Sequence, residues 1–328
     1  MQLFSEINLN FNSKKQIDSI SLYALTQYIR AVEFKISEQY KNQIFRCPVH
    51  LSIGQEAISS GVISNLRITD KVISTHRSHA QYLAKGGSLY KFFAELMGLE
   101  DGCCKGRGGS MHLFDHEVHF VASIPIVGSS IPIATGIALA DKLSGTDDIT
   151  VAFIGDAALE TGAFYESLNI AALKKLRLLI VIEDNGLSTF ARKKDRWAFK
   201  RNIEEIIKGS GFNYKFSDSL DLQEINNVAA RVIDNVREVE PYVLHFETHR
   251  LIEHCGPNQD FHLNYRTSAE IKEAEKKDPL IFFAKYLSSS GLLSLNEIKT
   301  LDMKIIDYVN RIFNEVLTKR NIDFKDFV

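Results

Sequence analysis

Two short polar tips in this sequence carry residue types able to hold a metal ion. Gly155-Asp156-Ala157 ends one apolar run, and Glu183-Asp184-Asn185 ends the next. One carboxylate and one amide oxygen, from Asp156 and Asn185, suit a magnesium ion that also takes phosphate oxygens and water. Gly155 would let the backbone come close to phosphates. Gly162 would open the turn into a following helix, whose positive end favours negative charge. An Asp after a strand also serves as an ordinary helix cap. Its pairing with Asn185 is what turns the reading toward an ion.

For the tips to meet, the two runs must be adjacent parallel strands. Residues 149–154 and 178–182 are continuous apolar runs suited to strands buried on both faces. Residues 163–175 between them read as a helix with Phe164, Leu168, Ala171 and Ala172 on one side. Strand, crossover helix and strand make a right-handed βαβ unit, and ligands collect beyond the carboxyl ends of such strands. Further strands are expected at 71–75 and 242–248, and helices at 17–39, 56–65 and 222–236. Residues 128–140 begin with Gly and Ser and read as a tightly packed helix whose first amides face an anion. The four glycines of 101–112 predict a loop. The tail, 279–328, reads as helical, with Ser294 and Glu297 spaced as a capping box. The expected fold is α/β: a doubly wound, mainly parallel sheet flanked by helices. A single domain is expected over 1–328, with helical extensions at about 1–45 and 279–328.

Composition excludes several classes. The chain has 328 residues, 45% hydrophobic and 24% charged, enough for one large α/β domain or two smaller ones. A net charge of −2, from 39 basic and 41 acidic side chains, is not the footprint of a nucleic-acid binder. Arg192, Lys193, Lys194, Arg196, Lys200 and Arg201 cluster, as a solvated loop and helix end or as an anion or partner site. Cys47, Cys103, Cys104 and Cys255 fit neither a zinc knuckle nor a disulfide framework, and reduced thiols are expected. Residues 1–15 lack the apolar core of a signal peptide. No apolar run reaches the roughly 18 residues of a membrane helix. A cytoplasmic protein with no membrane role is the expectation.

The two tips resemble the thiamine-diphosphate motif, in which Gly-Asp-Gly is followed further along the chain by Asn-Asn. The wider pattern is similar to the α subunit of the decarboxylating component of pyruvate, acetoin and branched-chain 2-oxo acid dehydrogenases. It runs through Thr75-His-Arg-Ser-His79, Lys105-Gly-Arg-Gly-Gly-Ser-Met-His112, Ile126-Val-Gly128 and Glu166-Ser-Leu-Asn-Ile-Ala-Ala172. Arg250, His254, Tyr265-Arg-Thr-Ser-Ala-Glu-Ile271 and Asp278-Pro-Leu280 follow in family order.

The resemblance implies thiamine diphosphate and Mg2+ as cofactors, with Asp156, the Asn185 side chain and the Leu187 carbonyl on the metal. It assigns cofactor contacts to His76, Arg77, Gly155, Ala157, Ala158, Arg250 and His254. Ile126, Val127 and Gly128 would offer backbone groups to the aminopyrimidine. The planar fork of Arg77 suits two diphosphate oxygens. His254, on a loop at the mouth of the site, and His79 are the implied catalytic histidines, since imidazole exchanges protons near neutral pH. Four positions depart from the family. Ala157 replaces the last Gly of the motif, which matters only if that residue needs a positive φ. Asp184 replaces the first Asn, which is unfavourable if its carboxylate points toward the diphosphate. His76 stands where relatives often carry Tyr. Cys255 stands where animal pyruvate dehydrogenases carry a regulatory Ser, which excludes phosphorylation there.

The resemblance further implies a β subunit that supplies the pyrimidine-binding half and the activating carboxylate, in an α2β2 heterotetramer. Glu56 is expected in a supporting helix and not as that carboxylate. A lipoyl acyltransferase would accept the acyl group taken from a small 2-oxo acid or acetoin. Alternatives are a non-oxidative two-subunit thiamine-dependent decarboxylase, half of a split transketolase, and a catalytically silent scaffold subunit.

Overall fold

The structure is a computed structural model that describes residues 17–325 apart from residue 239. Expectations for residues 1–16 lie outside the described residues. Six strands form one sheet: β1 (Lys71–Ser74), β2 (Phe120–Ser123), β3 (Thr150–Gly155), β4 (Leu178–Asp184), β7 (Asn213–Ser217) and β8 (Tyr242–Glu247). Their order is β2-β1-β3-β4-β8-β7, and every pairing is parallel. A separate antiparallel pair, β5 (Leu187–Ser188) and β6 (Ala191–Arg192), follows β4.

Successive side chains of a strand point to opposite faces, and here both faces are covered. Val151 and Phe153 of β3 join Leu179 and Val181 of β4 in one apolar cluster. Ala152 and Ile154 join Leu178, Ile180 and Ile182 in the other. Unbroken apolar runs are what a parallel strand buried on two sides requires. The expected strands at 71–75, 149–154, 178–182 and 242–248 are thus present, within a residue or two of their bounds.

The helices are α1 (Ser19–Tyr40), α2 (Glu56–Ile63), α3 (His79–Ala84), α4 (Leu89–Leu96), α5 (Ser130–Leu143) and α6 (Gly162–Leu173). They continue with α7 (Lys193–Arg196), α8 (Ile203–Gly209), α9 (Leu222–Arg237), α10 (Ser268–Lys276), α11 (Pro279–Ser289) and α12 (Leu295–Lys325). The capping box expected before α12 is formed: Ser294 N–H donates to Glu297 Oε2 at 2.7 Å, and Glu297 N–H to Ser294 Oγ at 3.3 Å. Glu56 sits in the supporting helix α2, where it accepts from Arg30 of α1 at 2.9 Å. Arg30 also donates to Asp278, the N-cap of α11, at 2.7 Å. A buried arginine shared by two carboxylates thus ties three helices together. Among the described residues no helix is long and apolar enough to cross a membrane.

From β1 the chain moves outward to β2, then returns to the other side of β1 to form β3. The strand order therefore reverses between β1 and β3, and a crevice opens at the carboxyl ends there.

Candidate active site

Five strand ends feed one cavity of about 230 Å³. β1 delivers Thr75, His76 and Arg77, and β2 delivers Pro125, Val127 and Gly128. β3 supplies Gly155, Asp156, Ala157 and Ala158, while β4 supplies Glu183, Asn185 and Leu187. The loop after β8 adds Arg250 and His254, and His50 and Gln55 come from the segment before α2. Asp156 and Asn185 share this cavity because β3 and β4 are neighbours in register, Gly155 opposite Glu183.

The cavity wall carries both acidic and basic groups. Asp156 is almost wholly buried and forms an ion pair with Arg196 of α7. Burial, and then the charge of Asp184, push its carboxyl up to about 6 against the pull of Arg196. Asn185 Oδ1 accepts from Leu187 N–H at 3.1 Å, and its Nδ2 donates to Gln55 Oε1 at 2.9 Å. Two buried arginines share that wall. Arg77 donates to the carbonyls of Leu51 and His254. Arg250 reaches the carbonyls of Ile252 and Thr189. Burial and mutual repulsion lower Arg77 to about 9; burial and then Arg266 lower Arg250 to about 10. His50, His76 and His254 are driven down to about 2, 3 and 4, by burial first and then by neighbouring cations.

Burial is the first cause of each of these shifts, and the further push that Arg77 and Arg250 exert on their neighbours makes the cavity suited to an anion. Glu183, a half-buried acid on the cavity wall, is itself pushed up to about 8 by burial of its carboxyl. Two buried cavity atoms, His50 Nδ1 and Gln55 Nε2, have no hydrogen-bond partner. Leaving buried polar atoms unpaired costs about 1–3 kcal/mol each. A polyanion with several acceptor oxygens answers both features, so the residues present fit a diphosphate. They fit a divalent ion at Asp156 if that ion takes the place of Arg196.

Two of the departures from the family pattern, Ala157 and Asp184, are resolved by the backbone and by local pairing. Ala157 does not have a positive φ, so its methyl group is tolerated. Asp184 accepts from Lys193, from His245 Nε2 at 2.9 Å and from Gly186 N–H at 3.0 Å, and it does not line the cavity. Burial opposes its charge, but His245 and Lys193 hold its carboxyl down at about 2. His76 lines the cavity wall. Gly128, in contrast, needs to be glycine. Its φ is +86°, and an added Cβ would meet Thr161 Oγ1 at 2.6 Å.

Two predicted site residues are not brought to the cavity. Ile126 is 69% exposed beside it. His79 is sealed in the interior, with Nδ1 3.0 Å from Glu33 Oε2 and Nε2 2.7 Å from Ser110 Oγ. Glu33 also accepts from Ser52 N–H at 2.8 Å. This chain of contacts links α1 to the glycine-rich loop and leaves His79 nothing in the cavity to touch. The basic cluster, expected as a solvated segment or an anion site, is largely spent on internal pairs. Lys193 meets Asp184, Arg196 meets Asp156 and Glu160, and Arg192 meets Glu270 at 2.8 Å.

Several residues of the site escaped sequence reasoning. His50 and Gln55 lie just before the helix expected at 56–65, where nothing local marks them, and Arg196 acts across 40 residues of chain. Asp260, fully buried, accepts from Arg266 at 2.7 Å and from Tyr265 and Arg250. That hub explains why the Tyr265-Arg266 pair follows the His254 loop: it braces the loop from beneath.

A sheet of this topology, with arginines and a carboxylate lining the crevice at its switch point, defines an α/β protein whose crevice suits a phosphorylated ligand. The family model for the dehydrogenase E1 component matches residues 24–324, and the chain belongs to that family. It is 35% identical over 283 residues to the chloroplastic pyruvate dehydrogenase E1 component subunit alpha-3 of Arabidopsis thaliana, covering 82% of this chain and 64% of the plant protein. Against the pyruvate dehydrogenase E1 component subunit alpha of Rickettsia felis it is 35% identical over 263 residues, 79% of each chain. The somatic, mitochondrial subunit alpha of Homo sapiens is 32% identical over 291 residues, 88% of this chain and 73% of the human one. The chain thus spans less than two thirds of the plant relative's length.

Proposed function

We propose that this chain is the α subunit of the thiamine-diphosphate-dependent decarboxylating component of a pyruvate-type 2-oxo acid dehydrogenase. The observation that carries this reading is the convergence of five parallel strand ends on one cavity lined by Arg77, Arg250 and Asp156. Thiamine diphosphate supplies a nucleophilic carbon for the substrate's oxo group and a sink for the electrons released with CO2.

The protein's own residues bind and orient. Arg77 and Arg250 neutralise the diphosphate, and His76 and His254, as neutral rings, donate hydrogen bonds to it. Asp156, the Asn185 side chain and the Leu187 carbonyl hold Mg2+, an ion that favours oxygen ligands. Gly155, Ala157 and Ala158 bring backbone close to the phosphates, and Val127 and Gly128 offer backbone groups to the aminopyrimidine. His254 exchanges protons at the cavity mouth. His79 acts indirectly, by positioning the loop that carries Ser110. The whole chain acts as one domain in the cytoplasm, and cell fractionation tests that location against the organelles named for the plant and human relatives. A β subunit completes an α2β2 assembly, and a lipoyl acyltransferase takes the acyl group.

The test is reconstitution with a β chain, a lipoyl acyltransferase and dihydrolipoyl dehydrogenase. Pyruvate-dependent NAD reduction that requires Mg2+ and thiamine diphosphate is expected, with acetoin and branched-chain 2-oxo acids as competing substrates. CO2 release without NAD reduction would instead indicate a non-oxidative decarboxylase. Failure of the assembled protein to bind thiamine diphosphate, with Asp156→Ala behaving as wild type, would indicate a silent scaffold.

A further inference from the structure

Three imidazoles from three separate segments meet on one wall of the cavity. His50 precedes α2, His76 leaves the end of β1, and His254 sits on the loop after β8. Their ring centroids are 4.8 Å (His50–His76), 5.0 Å (His50–His254) and 5.3 Å (His76–His254) apart. One ring nitrogen of each lies within 4.8 Å of the others. Independently of that clustering, His50 Nδ1 is buried and has no hydrogen-bond partner. A nitrogen in that state lacks whatever would pair with it.

Neutral imidazole is the commonest protein ligand for zinc-type ions, whereas magnesium selects oxygen. All three rings are held far below the ordinary histidine range, so each presents a lone pair at neutral pH. Zinc takes nitrogen at about 2.0–2.1 Å in tetrahedral geometry. The three nitrogens must therefore draw together somewhat, and the half-buried rings of His76 and His254 border open cavity space that allows it. Two opposing charges face the trio, Arg77 and Arg250, and they disfavour a bare dication. They favour an anion, and a three-imidazole site leaves a fourth position for one.

We propose that His50, His76 and His254 form a binding site for a transition-metal dication of the zinc or cobalt type, with an exogenous anion at the fourth position next to Arg77 and Arg250. The site differs in ligand chemistry from the oxygen site at Asp156 and Asn185. Because both would occupy one cavity, the transition metal excludes the diphosphate and inhibits the protein; this last consequence rests on the function proposed above.

The experiment is a titration of the full chain, stripped of metal by chelator, with cobalt chloride. Visible absorption of a four- or five-coordinate cobalt ion, saturating at one equivalent, is expected. Zinc should abolish that absorption, and a large excess of magnesium should leave it. His76→Tyr and, separately, His254→Gln should each weaken cobalt binding at least about tenfold, with unchanged circular dichroism showing that the fold is intact. Either the weak spectrum of six-coordinate aqueous cobalt or full binding by both folded variants would overturn the proposal. Loss of the signal in Asp156→Ala alone would overturn it too, by moving the ion to the oxygen site. Thiamine diphosphate with magnesium is then added to the cobalt form. Displacement supports mutual exclusion. A cobalt spectrum that survives saturating cofactor leaves the three-histidine site standing and counts against the diphosphate reading of the cavity.

Discussion

At the scale of single residues, the cavity is shaped by charges that burial leaves only partly answered. The imidazoles of His50, His76 and His254 are held below the ordinary range. In the unfolded chain they take up protons near pH 6.5, whereas in the folded chain they do not. The unfolded state therefore binds more protons, and stability falls as pH drops below about 6.5, by up to about 1.4 kcal/mol per pH unit per imidazole. Melting temperature measured from pH 7 to pH 5 should decline, and less steeply in His76→Phe. Equal slopes would mean that these rings protonate freely in the folded protein. Across the cavity, Arg196 occupies Asp156 as an internal cation. Removing it as Arg196→Met should tighten magnesium binding to the assembled, cofactor-loaded protein by about tenfold, if the displaced pair is worth about 1.4 kcal/mol. Calorimetry showing weaker magnesium binding would count against Asp156 as a ligand.

At the scale of elements, one side chain organises the glycine-rich loop. Glu95, buried on α4, accepts the N–H groups of Cys104 (2.7 Å), Gly106 (2.9 Å), Gly108 (2.7 Å) and Gly109 (2.9 Å). Both of its oxygens are thereby used, so with Cys103 and Cys104 nearby it still offers a metal little. Glu95→Gln turns one acceptor into a donor facing N–H groups, and a loss of about 2–4 kcal/mol is expected. Hydrogen exchange should locate the loosening at residues 103–112, and an unchanged exchange rate there would contradict the role given to Glu95. The sequence shows this loop through its glycines but not its anchor, since nothing local marks a Glu that acts 9 to 14 residues away. The same limit explains the strands. β3 and β4 are legible because burial on both faces makes their runs uniformly apolar. β2 and β7 are the two edges of the sheet, short and, in Asn213-Tyr-Lys-Phe-Ser217, largely polar or exposed, so no periodicity announces them. Asp156 and Asn185 are legible as strand tips. His50 and Arg196 reach the site only through tertiary contacts.

At the scale of the whole molecule, apolar side chains remain uncovered on the helices that flank the cavity. Ile133 of α5 is 44% exposed, and Ile170 and Leu173 of α6 are 44% and 73% exposed. Ile126 and Val127, at the cavity rim, add to them. Scattered exposed apolar residues are ordinary, but their recurrence along two adjacent, contacting helices marks a surface for association. This fits a site whose remaining half comes from another chain, as the proposed α2β2 assembly requires. Leu173→Glu combined with Ile170→Glu places two like charges where that assembly would bury apolar area. Charges left unpaired in an interface cost several kcal/mol, so the double variant should elute as a smaller species in size-exclusion chromatography with the β chain. Its fold should be unchanged, because both positions face away from the two apolar clusters. If instead the variant assembles as wild type does, the interface lies elsewhere, and Ile126 and Val127 at the rim become the next positions to substitute.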